Sequence, residues 1–144
     1  MKIAVGADHA GYELKEHLAR LLEAEGHQIE NLGTHSTDSV DYPNFAAAVG
    51  EAVASGRADR GLLVCGTGIG VAITANKVDG IRAANCSDHF TAQMSREHND
   101  ANVLTIGARV LGEGLAEEVA RTFFETDFAG GRHQQRVAKI HQLE

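Results

Sequence analysis

Short apolar runs alternate with longer amphipathic stretches from one end of the chain to the other. The runs have the length of buried strands, and the stretches between them carry apolar residues at helical spacing. In the first such stretch the leucines lie on one stripe, and Gly26 ends the pattern. The pattern predicts strands over residues 2–6, 27–32, 60–65, 81–84 and 103–106. It predicts helices over residues 12–25, 43–54, 68–76, 88–97 and 113–125, and a final helix after Gly130 and Gly131.

Strands that alternate with helices are typical of a parallel sheet covered on both faces. We therefore predict an α/β fold with three layers, α/β/α, built on a five-stranded, Rossmann-like parallel sheet with an extra C-terminal helix. No repeat, low-complexity segment or linker divides the sequence, so residues 1–144 are predicted to form one domain. In such sheets ligands bind beyond the carboxyl ends of the strands, where Asp8, Cys65 and Gly107 fall.

Composition and charge narrow the choice of function. Hydrophobic residues make up 43% of the 144 residues, which is enough for a core, although only 5% are aromatic. The net charge of −7 argues against a nucleic-acid partner, because phosphate backbones need a basic surface. Two cysteines without a CxxC spacing are typical of a reducing compartment. With no secretion signal and no long apolar run, the sequence predicts a cytoplasmic protein without a membrane partner.

The third predicted strand ends in Cys65, and Gly66-Thr67-Gly68-Ile69-Gly70 follows directly. Glycines at such a turn let backbone N–H groups approach a ligand, and a helix N-terminus favours negative charge. A cysteine in a buried strand is more often a small hydrophobic residue. The loop favours a reactive role for Cys65, because thiolates are stabilised at helix N-termini. Cys86 has no such surroundings and is predicted to be structural.

The glycines match known nucleotide motifs poorly. A dinucleotide fingerprint beginning at Gly66 would need glycine or alanine where Val71 stands, and no acidic residue is placed to bind a ribose. The lysine and serine or threonine that end a Walker A motif are also absent.

The C-terminal helix offers two arginines on one face, Arg132 and Arg136. Arg132 lies in the first turn, where a cation opposes the helix dipole unless an anion compensates it. Two guanidinium groups beside a helix N-terminus suit a phosphate, although such a pair also fits a solvated helix face. Arg109, after the fifth strand, is a third candidate for binding an anion.

Two further segments contain chemically active residues. Asp8 and His9 follow the first strand, where Asp8 could simply cap a helix and His9 could be a loop residue. Proximity to Cys65 on the neighbouring strand favours function. His98 and Asn99 end a helix, where a histidine either complements the dipole or serves as an acid or base near neutral pH. The eight histidines show no spacing typical of a zinc site, so no metal is predicted.

Together these motifs identify a resemblance to a family of sugar-phosphate isomerases. The resemblance covers essentially the whole chain, and the family includes B-type ribose-5-phosphate isomerases and galactose-6-phosphate isomerase subunits. Some members replace the cysteine and use a glutamate soon after the glycine loop, whereas Cys65 and Val71 place this chain with the cysteine type. The motifs occur in this order: Val5-Gly-Ala-Asp8-His9-Ala-Gly11, Asp41-Tyr42-Pro43, Cys65-Gly-Thr-Gly-Ile-Gly70, Arg96-Glu-His98-Asn99-Asp-Ala-Asn102, Gly107-Ala-Arg109 and Gly130-Gly-Arg132-His-Gln-Gln-Arg136.

The resemblance implies interconversion of ribose 5-phosphate and ribulose 5-phosphate without a metal or organic cofactor. Cys65 would remove the C2 proton, and His98 would open the furanose ring. The backbone N–H groups of residues 66–70 would hold the enediolate oxygen. Thr67 would be a catalytic residue together with Cys65 and His98. The substrate-binding residues of that loop are Gly66, Thr67, Gly68, Ile69 and Gly70.

The resemblance also implies how the rest of the substrate is bound. Asp8 and Asn99 would contact the sugar, and the phosphate would be surrounded by His9, Arg109, Arg132 and Arg136. A homodimer, or a pair of such dimers, would build each site from both subunits. Two alternatives stay open. One is an isomerase of a six-carbon sugar phosphate, such as allose or galactose 6-phosphate. The other is a non-catalytic module that binds a sugar phosphate or nucleotide, which would leave Cys65 and His98 unexplained.

Overall fold

Five parallel strands form the sheet of the computed structural model, which describes all 144 residues. Their order is β2-β1-β3-β5-β4. The strands are β1 (Lys2–Ala7), β2 (Gln28–Asn31), β3 (Arg60–Cys65), β4 (Ala83–Asn85) and β5 (Val103–Gly107). The helices are α1 (Tyr12–Ala24), α2 (Tyr42–Ala54), α3 (Ile69–Ala75), α4 (His89–Glu97), α5 (Glu113–Glu125) and α6 (Arg132–His141). None of these helices has both the length and the apolar composition needed to cross a membrane.

The predicted fold class is confirmed, and so is the position of the second strand at an edge of the sheet. The prediction of the fourth strand was wrong at its start. Ile81 is buried and its N–H donates to the carbonyl of Val78, so it closes a turn instead of pairing with β5. Pairing begins at Ala83, which lies opposite Val103.

Two apolar cores lie on the two faces of the sheet. Strand side chains alternate between the faces, so Leu62 and Val64 point to one core while Leu63 and Cys65 point to the other. Helices α1, α4 and α5 cover the first core, and α2 and α3 cover the second. The side chain of Cys65 therefore packs on the face covered by α2 and α3.

The register brings the carboxyl ends of the three central strands to the same level. Cys65 lies opposite Gly107 on β5, and Ala7 lies opposite Val64. Asp8, Cys65 and Gly107 are therefore neighbours at one end of the sheet, where ligands bind in open α/β folds.

Candidate active site

The loop after β3 holds the thiol of Cys65 in a defined position. Only 5% of Cys65 is exposed, and its Sγ accepts a hydrogen bond from the Gly68 N–H at 3.1 Å. Gly68 has a φ of +79°, and a Cβ at this position would lie 2.2 Å from Asn85 Oδ1. Only glycine meets both conditions without strain. The loop therefore turns tightly enough to direct the Gly68 N–H toward the sulfur.

The loop after β5 packs directly against the glycine loop. The N–H of Ala108 donates to the Cys65 carbonyl at 2.8 Å, and the N–H of Arg109 donates to the Gly66 carbonyl at 3.0 Å. A Cβ on Gly107 would lie 2.6 Å from the backbone of Thr67, so this contact requires glycine. The side chain of Arg109 passes beside Gly66: a Cβ on this glycine would lie 3.6 Å from Cδ and Nη1 of Arg109, which is an ordinary van der Waals distance. A guanidinium group therefore borders the loop.

Asp8 and His9 form the third part of this cluster. Asp8 is 7% exposed, and its Oδ1 accepts the N–H of Gly11 at 3.1 Å. The N-cap of α1 is Gly11, so the interpretation of Asp8 as a helix cap was wrong: it closes the turn that precedes the helix. His9 Nδ1 faces the N–H of Val40 at 3.2 Å.

Two side chains that the sequence analysis had not proposed support the glycine loop. Asn85 donates from Nδ2 to the Thr67 carbonyl at 3.3 Å, and its Oδ1 accepts the Thr105 hydroxyl at 3.1 Å. The ring of Tyr42 lies so close to Gly70 that a Cβ there would be 2.7 Å from it. The position of Asn85 at the carboxyl end of a strand was a signal that could have identified it.

Four of the predicted site residues lie at the other end of the sheet. Helix α4 joins two parallel strands, so it returns to the amino end, where His98 and Asn99 precede β5. The ring of His98 stacks on His133 of α6 with centroids 4.2 Å apart, which places Arg132 and Arg136 at this end as well. A strand rises about 3.3 Å per residue, so the length of β5 separates the two groups by roughly 13 Å or more. One chain therefore does not bring them together.

The group around His98 is strongly basic. Arg132 and Arg136 are exposed, and neither forms an ion pair within the chain. The pKa of His133 is held below its usual value of 6.5. The largest cause is partial burial of the ring, and the electrostatic effects of His98, Arg132 and Arg136 lower the pKa further. An exposed cationic cluster in a chain of net charge −7 is suited to bind an anion.

We expect NMR titration to give His133 a pKa below 6.5, and Arg136→Gln to raise it, because a neighbouring positive charge is removed. Between the folded pKa and 6.5, the unfolded chain binds a proton that the folded chain does not. Stability therefore falls as the pH drops through this window. Lys139→Gln on the same helix is the control. An unchanged His133 pKa in Arg136→Gln would contradict the coupling.

Neither of the two surface cavities is lined by Cys65 or the glycine loop. The larger, of about 690 Å³, lies between β4 and the C-terminal residues and is bordered by Asn99. The smaller, of about 290 Å³, lies beside Ala10 and Ala108. The glycine loop of a single chain therefore lies outside both cavities.

One cluster of side chains has the composition of a metal site. His17, Glu113 and Glu117 bring their ligand atoms within 4.8 Å of one another. His17 Nε2 lies 2.8 Å from Glu117 and 3.5 Å from Glu113, so these groups also pair with one another when His17 is protonated. They lie on α1 and α5, across the sheet from the face on which Cys65 packs.

Comparison with known proteins finds sugar-phosphate isomerases that are similar to this chain over nearly its full length. The sequence profile of the family described as Ribose/Galactose Isomerase matches residues 3–140. Ribose-5-phosphate isomerase B of Escherichia coli is 47% identical, over 99% of this chain and 96% of that protein. D-erythrulose-4-phosphate isomerase of Pectobacterium atrosepticum is 40% identical, over 100% of this chain and 95% of that protein. The structure of Clostridium thermocellum ribose-5-phosphate isomerase B superposes with a TM-score of 0.98 at 52% identity, covering 99% of this chain and 97% of that one.

The chain therefore belongs to the Ribose/Galactose Isomerase family. It is an isomerase, as its resemblance to the family implied. Its three-layer α/β/α fold is the one found in B-type ribose-5-phosphate isomerases.

Proposed function

We propose that this chain interconverts ribose 5-phosphate and ribulose 5-phosphate through an enediolate, with Cys65 as the base. The observation that carries the proposal is the thiol held at the carboxyl end of β3, beside a loop in which the N–H groups of Thr67 and Gly70 are unpaired. The sulfur removes the proton from C2 of the open-chain aldose, and the electron pair forms the C1=C2 bond. The proton then returns to C1. The hydroxyl proton moves from O2 to O1, which leaves a carbonyl at C2.

The glycine loop supplies the groups that stabilise the enediolate. The N–H groups of Thr67 and Gly70 make no hydrogen bond within the chain, so they are available to a substrate oxygen. Preorganised N–H donors aimed at a developing anion are among the largest contributions to catalysis. The exposed hydroxyl of Thr67 is the group we assign to proton transfer between O1 and O2.

We propose that a second copy of the chain completes each site. His98 is the acid that opens the furanose ring, and Asn99 binds the sugar, but both lie at the end of the sheet opposite Cys65. A twofold dimer would supply them from the partner and form two equivalent sites. Ile69 and Ile73 support this arrangement, because they leave an apolar stripe on α3 beside the glycine loop, 54% and 58% exposed.

The phosphate would then be bound from both copies. His9 and Arg109 come from the copy that provides Cys65, and Arg132 and Arg136 come from the partner. Asp8 at the base of the cluster binds sugar hydroxyls. Because the base is a free thiol, this function needs a reducing compartment, which the cytoplasm provides.

Comparing sugar phosphates of four, five and six carbons tests the substrate. The relatives make this necessary, because one is named for a four-carbon substrate and the family description includes galactose. We expect kcat/KM for ribose 5-phosphate to exceed that for erythrose 4-phosphate and allose 6-phosphate by at least about tenfold, since a pocket discriminates by that much for one missing group.

The other outcomes are also decisive. A higher kcat/KM for a six-carbon phosphate would assign the chain to the alternative isomerase. If no substrate exchanges C1 or C2 hydrogen with solvent deuterium although phosphate competes for binding, the chain is a binding module.

A further inference from the structure

Helix α1 contains a lysine that is completely buried. Lys15 is 0% exposed, and its Nζ donates to Glu16 Oε1 at 2.7 Å, Asn31 Oδ1 at 3.0 Å and the Thr34 carbonyl at 2.7 Å. An ammonium group has three protons, so every donor has an acceptor. Burying a charge is costly unless it is paired in this way. Hydrogen bonds from Lys15 and then Asn31 also hold the pKa of Glu16 below its usual value.

The Thr34 carbonyl begins a segment that ends at the candidate site. The N–H of Thr34 donates to the Ala7 carbonyl at 2.7 Å, while its carbonyl accepts Lys15. Residues 35–39 are exposed, and their one internal hydrogen bond joins Asp38 N–H to Ser36 Oγ at 3.2 Å. The segment is fixed again at Val40, whose N–H faces His9 Nδ1 at 3.2 Å. Its position therefore depends mainly on its two ends.

The contact at Val40 determines which nitrogen of His9 carries the proton. A backbone N–H can only donate, so Nδ1 must accept. In the neutral ring the proton is then on Nε2. His9 accordingly presents a single N–H donor on the side of the ring that points away from Val40.

We propose that Lys15 is a positioning residue for His9: by holding the Thr34 carbonyl it places Val40 N–H against Nδ1, and so keeps Nε2–H as a fixed donor to the substrate. The role of His9 at the phosphate rests on the proposed function. The placement of its proton does not, because it follows from contacts within the chain.

The experiment compares Lys15→Met, Lys15→Arg and the control Lys77→Met, an exposed lysine. Long-range ¹H–¹⁵N spectra report the tautomer of each imidazole, and His9→Gln assigns the His9 signals. We expect the wild-type protein, Lys15→Arg and Lys77→Met to show the Nε2–H tautomer at His9. Lys15→Met should show a mixture and raise KM for ribose 5-phosphate by up to about tenfold, the effect of one hydrogen bond, with kcat changed less.

A folded Lys15→Met that keeps the Nε2–H tautomer would overturn the proposal. If Lys15→Met does not fold, Val40→Pro removes the N–H donor. Ser39→Pro is the matched control for the conformational restraint that a proline adds, because the Ser39 N–H makes no hydrogen bond. An unchanged His9 tautomer in Val40→Pro would overturn the proposal equally. Because the tautomer is read without turnover, loss of the proposed function would leave this result intact.

Discussion

We expect Cys65→Ala to lower the isomerase kcat by about two to four orders of magnitude, the range typical of removing a general base. In the proposed mechanism the sulfur is the base, and the Gly68 N–H fixes its direction. Alanine keeps the strand and the turn, so substrate binding should change little. The measurement is kcat and KM for ribose 5-phosphate with purified enzyme.

The second free cysteine provides a matched control. Cys86 is 2% exposed, and burial raises the pKa of its thiol. It belongs to the core on the opposite face of the sheet from Cys65. Cys86→Ala should therefore keep near-normal kcat and show only reduced stability. If Cys65→Ala retains kcat within about tenfold of wild type, the sulfur is not the base, since base catalysis contributes at least about a hundredfold.

Strong local signals made some elements predictable from sequence. The predicted bounds of β3 and α5 match the structure, because an apolar run meets the glycine turn in one case and regular helical spacing follows Gly112 in the other. The predicted start of β4 was wrong for two reasons: the strand is only three residues long, and the apolar Ile81 before it packs in the core instead of pairing in the sheet.

The candidate site was predictable as far as strand ends define it. Asp8, Cys65 and Arg109 lie at the carboxyl ends of adjacent strands, so their proximity followed from the parallel topology alone. Lys15 lies three and seven residues before Leu18 and Leu22, on the buried face of α1, but a lysine at such a position does not by itself indicate burial, because lysine is almost never fully buried. The partners of Asn85 and Tyr42 depend on packing between distant segments, which no local pattern encodes.

Mixing two inactive variants restores activity if the site is shared between copies. Cys65→Ala retains the half with His98, and His98→Gln retains the half with Cys65. Each should be inactive alone, since loss of an acid or base costs about two to four orders of magnitude. Equal amounts unfolded and refolded together give half mixed dimers, each with one intact site, so about a quarter of wild-type activity returns.

The double variant Cys65→Ala/His98→Gln makes the test symmetrical. Refolded with an equal amount of wild-type chain, it yields mixed dimers in which every site lacks one group. About a quarter of the activity of an all-wild-type sample then remains, whereas about half would remain if each chain held a complete site. A mixture of single variants that stays inactive, together with half activity here, would contradict the shared site. The geometry favours the result in which about a quarter of the activity remains, because the length of β5 keeps His98 away from Cys65 in every single chain.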